Sequence, residues 1–310
     1  MKILVTGASG LVGKALLPLL ESAGHEVICL TTSPIRHNSH FKQFSWNPAR
    51  NEIDETAVLG VSAIIHLAGA SISKPWTKRY RQQIIDSRVD SAKLLYKQLQ
   101  QSNHSVKMFI SASAIGIYPD STTEQYTESS TSQSHNFLGD VVHKWEAAAD
   151  EFQTLGIQVD KIRTGLVLDS RQGALPQIAK PIKAGLGAVF GSGNQLISWI
   201  HINDLVRIYL FVLENKMSGI INATAPNPAP NTELTKKIAN IYDRPLWLPN
   251  IPEWLTKPLL GERSVLLYSG QRVIPQKLLA AGFTFLHPEI GAALDSVLKK
   301  SPRNGSRNRD

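Results

Sequence analysis

Cysteine is almost missing, with Cys29 the single example in the chain. One thiol excludes an internal disulfide and any cysteine-built zinc site. A reducing, cytoplasmic compartment is the expected location. Long apolar runs are missing too. None approaches the roughly 20 residues that span a bilayer. The run that follows Lys2 stops at Val5, ahead of a glycine, which is too short for the core of a secretion signal. No membrane partner is expected. The chain has no helical His-Glu zinc motif, no Walker loop and no nucleophile elbow, so no metal is expected either. Basic residues are in excess, with a formal net charge of +8, yet they form no stripe interleaved with aromatics, and no nucleic-acid partner is expected. Much of the excess sits in Lys299, Lys300, Arg303, Arg307 and Arg309. Residues 300–310 lack any apolar pattern and read as a disordered, solubilising tail. A basic protein suits an anionic small-molecule ligand.

What is present is alternation. The strand candidates are Lys2–Thr6, Glu26–Leu30, Ala63–Leu67, Val106–Ser111 and Val159–Arg163, and most are rich in Val, Ile and Leu. They lack the polar alternation of half-exposed strands, as strands covered on both faces do. Between them Leu11–Ala23, Tyr80–Gln101 and Phe137–Leu155 read as amphipathic helices. Strand and helix repeated in this way predict an α/β fold, a doubly wound parallel Rossmann sheet with helices on both faces. Beyond residue 165 prolines break the pattern, although Asn231–Tyr242 and Pro288–Lys299 still look helical. The expected organisation is a nucleotide-binding domain over residues 1–165, to which residues 196–225 return. A smaller α/β substrate lobe covers residues 166–299.

Glycines at 7, 10 and 13 follow the first strand and open the first helix. Such a turn needs a left-handed residue, a close approach of main chain to a diphosphate, and tight helix–strand packing. The helix N-terminus then offers free N–H groups and a partial positive charge to phosphate. Gly7, Ser9, Gly10, Leu11, Val12 and Gly13 are therefore expected cofactor contacts. The second strand ends Leu30-Thr31-Thr32-Ser33-Pro34-Ile35-Arg36. An acid at that point binds the ribose hydroxyls of NAD, and none is there. Thr31, Thr32 and Arg36 instead suit a 2′-phosphate, so NADP is favoured over NAD. Leu67, Ala68 and Gly69 end the third apolar strand and are small enough to lie against the same cofactor.

The segments TGASGLVG, IIHLAGA, SASA at 111–114, IRTGLVL at 162–168 and SWIHINDL at 198–205 occur in this order. Together they resemble the extended short-chain dehydrogenase/reductase family. The stretches at 75–95, 144–152, 221–228 and 278–285 resemble its atypical bacterial epimerase-like subgroup. The resemblance implies an NADP(H)-dependent oxidoreductase or epimerase-like activity on a small polar or nucleotide-sugar-like substrate. It also allows a homodimer through the helices at 80–101 and 137–155.

Family enzymes move the proton with a Ser or Thr, a Tyr, and a Lys four residues later. Ser113 stands at the serine position. The Tyr and Lys positions hold Phe137 and Val141, neither of which carries a proton. Tyr118, in the loop after the serine strand, is the candidate replacement donor. The resemblance places Arg163 beside the nicotinamide and makes Trp199, with Gln195 and Ser198, candidate pocket residues. Arg272 is a candidate anion anchor, Arg88 a helix cation able to meet a carboxylate, and Glu124 and Glu128 read as surface acids. Two readings stay open: an enzyme, and a non-catalytic protein that senses NADP(H).

Overall fold

The structure is a computed structural model that describes residues 1–36 and 38–299. The expected basic tail lies outside the described residues. The first half runs β1 (Lys2–Thr6), α1 (Leu11–Ser22), β2 (Glu26–Thr31), β3 (Lys42–Asn47), β4 (Glu52–Ile53), β5 (Ala63–His66), α2 (Lys78–Gln100), β6 (Met108–Ala114), β7 (Gln125–Tyr126), α3 (Phe137–Asp150) and β8 (Gln158–Thr164). The second half adds β9 (Leu166–Leu168), α4 (Leu175–Lys183), β10 (Leu196–Ile197), β11 (Trp199–His201), α5 (Ile202–Asn215), β12 (Gly219–Ala223), β13 (Ala229–Pro230), α6 (Asn231–Ile241), α7 (Glu253–Leu260), α8 (Val265–Tyr268), β14 (Arg272–Val273), α9 (Gln276–Ala280) and α10 (Ile290–Leu298).

Eight strands form the central sheet in the order β12-β8-β6-β5-β1-β2-β3-β4. Every neighbouring pair is parallel except β3–β4 at the edge. This is the doubly wound parallel sheet that the sequence pattern predicts. Side chains on a strand alternate between faces, and the core divides accordingly. Ile3, Val5, Ala63, Ile65, Met108 and Ile110 pack on the side of α1 and α5. Leu4, Ile64 and Phe109 pack on the side of α2 and α3, against Leu95, Ala149 and Phe152. Each fully buried aliphatic side chain contributes roughly 1.5–3 kcal/mol, which explains why the interiors of β1, β2 and β5 are mostly Val, Ile and Leu.

A smaller third core gathers α4, α6 and α10 around Trp199 and Leu168. Short pairs join this lobe to the sheet: β11 lies parallel to β9, and β14 lies parallel to β7. After β11 the chain returns as α5 and β12, the outer strand beside β8. Among the described residues no helix is long and apolar enough to cross a membrane.

Strand order reverses between β1 and β5, because β2 and β3 lie to one side of β1, and β5, β6 and β8 to the other. Doubly wound sheets bind ligands at this reversal, outside the carboxyl ends of the strands. The candidate site is built there.

Candidate nucleotide-binding site

Gly7 has φ +68°, the left-handed region. A Cβ there would lie 2.7 Å from the carbonyl carbon and oxygen of Leu67, so the turn after β1 presses directly on the chain leaving β5. Gly10 closes the turn with its N–H on the Gly7 carbonyl at 2.9 Å and stands as the N-cap of α1. No side chain caps this helix, and no acid lies in its first turn. The amides of Leu11, Val12 and Gly13 point out of an open N-terminus, where intrahelical acceptors run out. Ser9 and Gly10 are exposed, and Leu11 and Val12 are half-buried. Open donors, partial positive charge and access are what a diphosphate needs.

Thr6 sets the opposite wall. Its Oγ1 accepts the amides of Leu67 and Ala68, both at 3.1 Å. Its proton therefore goes to His66 Nδ1, 2.9 Å away, which leaves the proton of the neutral ring on Nε2, facing Ser91 Oγ. Burial holds His66 down at about 4, so the ring stays neutral and the assignment persists through ordinary pH. Gly69 emerges exposed beyond this wall.

Past β2, Thr31 is half-buried and its Oγ1 accepts the Ser33 amide at 3.1 Å. Thr32 and Arg36 are exposed. Arg36 is fixed through its backbone, whose N–H donates to Gln43 Oε1 at 3.2 Å. Its guanidinium is in no ion pair among the described residues.

The candidate proton carriers are engaged elsewhere. Ser113 is buried and donates its proton to Glu146 Oε1 at 2.6 Å. Arg163, expected beside the nicotinamide, is also buried. Its Nε and Nη2 each bond one oxygen of Glu146 at 2.8 Å. Both residues point toward α3 because they share the strand face of Phe109, while Ile162 is turned to the opposite face with Ile110. Tyr118 is 1% exposed, not open to a pocket. Its hydroxyl accepts Arg163 Nη1 and faces the Asn222 Oδ1 and Thr127 carbonyl acceptors. Burial pushes this phenol up despite the opposing pull of Arg163 and Asn222, so it holds its proton more tightly than a free tyrosine.

Phe137 and Val141 lie together on α3 with Ile84, flanked by Trp76 and Tyr80. Trp76 meets the Phe137 ring edge-on at 5.0 Å, and the Arg81 guanidinium covers it at 4.2 Å. Arg81 in turn pairs with Glu262, and Arg263 donates to the Ser73 carbonyl at 2.8 Å. The place expected for a proton relay is thus an apolar cluster under a cation. Val141→Lys would bury an ammonium beside Ile84 and Phe137, and is expected to cost about 2–3 kcal/mol. Urea denaturation measures this, and an undiminished midpoint would mean that position 141 can turn to the cleft.

Other expectations also change. Trp199 is fully buried, with its indole N–H on the Asn227 carbonyl. It forms the centre of the lobe core instead of a substrate wall. Gln195 Nε2 ties the carbonyls of Phe190 and Leu267, and Ser198 Oγ bonds the Gln271 carbonyl and the Val273 amide. Both are internal struts. Arg272 is exposed on β14, beside Gln125 of β7. Glu128 is buried and accepts the amides of Asn222 and Lys277, so it is no surface acid.

A model of the NAD dependent epimerase/dehydratase family matches residues 3–138 and 167–224. The chain belongs to that family. Residues 251–297 match a second model, described as a domain of unknown function (DUF1731). "Epimerase family protein YfhF" of Bacillus subtilis is 33% identical over 299 residues, which is 96% of this chain and 98% of that protein. The crystal structure of human epimerase family protein SDR39U1 (isoform 2) with NADPH superposes with a TM-score of 0.84 at 31% identity, covering 97% of this chain and all of that one. A nucleoside-diphosphate sugar epimerase from Corynebacterium glutamicum gives a TM-score of 0.78 at 33% identity. There 96% of this chain covers 58% of that one.

One residue of this epimerase-family site went unnoticed in the sequence. Glu146 sits within a helix whose other buried positions are 137, 139, 141, 142, 145, 148 and 149. An acid inside that apolar stripe is the available signal, since a buried carboxylate requires a partner.

Proposed function

We propose that this chain binds NADP(H) and acts as an epimerase-like oxidoreductase on a small polar or nucleotide-sugar-like substrate. The observation that carries the reading is the uncapped N-terminus of α1, held against Leu67 and Ala68 at the sheet's reversal point. The phosphate-bearing part of the cofactor fits that turn through main-chain amides. Its 2′-phosphate fits the exposed Thr32 and Arg36, where a carboxylate would repel it. The NADPH in the human structure of 31% identity supports the same choice.

When bound, NADP(H) supplies a hydride donor or acceptor. The chain's own residues bind and orient. Ser113 and Tyr118 keep their protons on Glu146, Asn222 and Thr127, so the proton for a reacting carbonyl comes from water or from the substrate. The same commitment favours a second reading, a non-catalytic NADP(H) sensor. NADPH deuterated at the transferable position separates the two: deuterium delivered to any member of a carbonyl and sugar-nucleotide panel establishes the enzyme. Failure with the whole panel, in protein that binds NADPH, establishes the sensor. A cytoplasmic location and a homodimer through α2 and α3 belong to the proposal, and light scattering tests the dimer.

Arg36→Asp is expected to weaken NADPH binding about tenfold or more, by removing one charge-assisted contact and adding a repulsive one. NADH binding should change little. Equal losses for the two nucleotides in a fluorescence titration would remove the argument for NADP.

A further inference from the structure

Arg88 is a half-buried cation without an acid. No carboxylate lies within salt-bridge distance of it among the described residues. Asp86, two residues earlier, accepts from Gln82. Glu146, next to its neighbour Trp145, is saturated by Arg163 and Ser113. Burial draws the Arg88 guanidinium down to about 10, a desolvation that no carboxylate offsets. A buried charge left unpaired is costly, and such a cost at a ligand-binding edge points to use.

The guanidinium is also held in place. Nη1 donates to the carbonyls of Ala70 and Ile84, at 3.1 and 2.9 Å. Its Cζ lies over the Trp145 ring, 4.8 Å from the centroid. It also lies against Gly69, where a Cβ would come within 3.1 Å of Cζ. Ser87 Oγ accepts the Ala70 amide at 2.9 Å, so α2 grips both sides of the residue that follows Gly69. Of the remaining nitrogens, Nε is buried without a partner, while Nη2 is neither bonded nor sealed. Nε and Nη2 form one edge of the fork, the edge that binds carboxylate or phosphate with two parallel hydrogen bonds. That edge has no partner among the described residues, and its Nη2 end lies near Gly69, on the carboxyl side of β5 and past the wall that faces the Gly7 turn.

We propose that Arg88 anchors an oxyanion, a phosphate or carboxylate group carried by the ligand of this cleft. An oxyanion arriving at Nη2 needs a small rotation of the guanidinium to reach Nε as well. The unbonded edge suits a group that presents two oxygens in the plane of the guanidinium, as carboxylate and phosphate both do. The inference rests on the reading that the edge beside Gly7 holds NADP(H). The oxyanion comes from a substrate bound next to the nucleotide or from the nucleotide itself.

The test uses the full chain with inorganic phosphate and malonate as probes, titrated calorimetrically with and without saturating NADP+. Arg88→Gln keeps a donor for the Ala70 carbonyl and removes the charge; Arg88→Lys keeps the charge and removes the fork. In the NADP+-saturated protein both probes are expected to bind. Arg88→Gln should weaken them about tenfold or more and Arg88→Lys severalfold, with NADPH affinity unchanged. Probes that compete with NADPH, together with weaker NADPH binding in both variants, assign the oxyanion to the nucleotide. Binding of phosphate and malonate that ignores both substitutions, or no binding at tens of millimolar, overturns the anchor. Protein that binds the probes through Arg88 but binds no NADPH keeps the anchor and loses the cofactor reading. If Arg88→Gln fails to fold, Arg88→Lys carries the comparison.

Discussion

Gly13→Ala will abolish useful nucleotide affinity while leaving a chain that still folds. Alanine is the better helix former by about 1 kcal/mol, so the outcome depends on space. The added Cβ would lie 2.5 Å from the Gly7 carbonyl oxygen and 2.7 Å from Ala8 Cα. Both are main-chain atoms that no rotamer can move. Relief requires α1 to shift away from the turn, at an overpacking cost of roughly 1–3 kcal/mol, and sterics win. The shift also displaces the amides of Leu11 and Val12 from a shared diphosphate. Two charge-assisted bonds lost at about 1.5 kcal/mol each amount to roughly a hundredfold in affinity. Gly24→Ala is the control. Gly24 has φ +81° with nothing within 4 Å of a Cβ, so its cost is backbone strain of about 1 kcal/mol, remote from the turn. NADPH titration and urea denaturation of both variants decide the matter. If Gly13→Ala binds NADPH like the unaltered protein, the turn is not the diphosphate site.

Much of this architecture is legible from local chemistry. Strands β1, β2 and β5 are covered on both faces and write their burial as short runs of Val, Ile and Leu, while β6 and β8 mix such residues with Ser113, Asp160 and Arg163, whose burial rests on polar partners. β3 and β4 escape that reading. In Lys42–Asn47 only Phe44 and Trp46 are buried, an alternating six-residue stretch at the antiparallel edge that periodicity does not separate from a loop. The glycine turn is legible because its demands are met within a few residues. The catalytic assignments are less so, because the direction of a side chain depends on what crosses the strand. Ser113 belongs to the same strand face as Phe109, and α3 brings Glu146 to that face. Trp199 carries every sign of a pocket aromatic except the fact of α4, α6 and α10 closing around it. Tyr118 sits in the expected loop, but its hydroxyl faces the acceptor Oδ1 of Asn222, 104 residues away. These are long-range facts that no spacing rule contains.

The network around Glu146 has the largest stability effect expected here. Glu146→Ala leaves the Arg163 guanidinium buried and unpaired, and leaves Ser113 without its acceptor. Removing one partner of a buried ion pair costs roughly 3–5 kcal/mol, because the survivor keeps its desolvation penalty. Arg163→Met should cost a similar amount. The double variant Glu146→Leu with Arg163→Met should recover most of the loss, since neither charge then remains in the interior. Acidity offers an independent check. Burial pushes the Glu146 carboxyl up, but the Arg163 hydrogen bonds and charge, with Ser113 and Lys161, reverse the effect and hold it below its ordinary value of 4.5. A depressed folded value means that the folded state binds the proton less readily than the unfolded chain. The stabilisation is therefore complete above the ordinary carboxylate range and is lost as pH falls through the lower folded value. Glu146→Gln should lack this component, so its stability should fall less steeply below pH 4.5 than that of the unaltered chain. Parallel acid profiles for the two proteins, or a double variant no more stable than the singles, would show that the pair does not hold β6, β8 and α3 together.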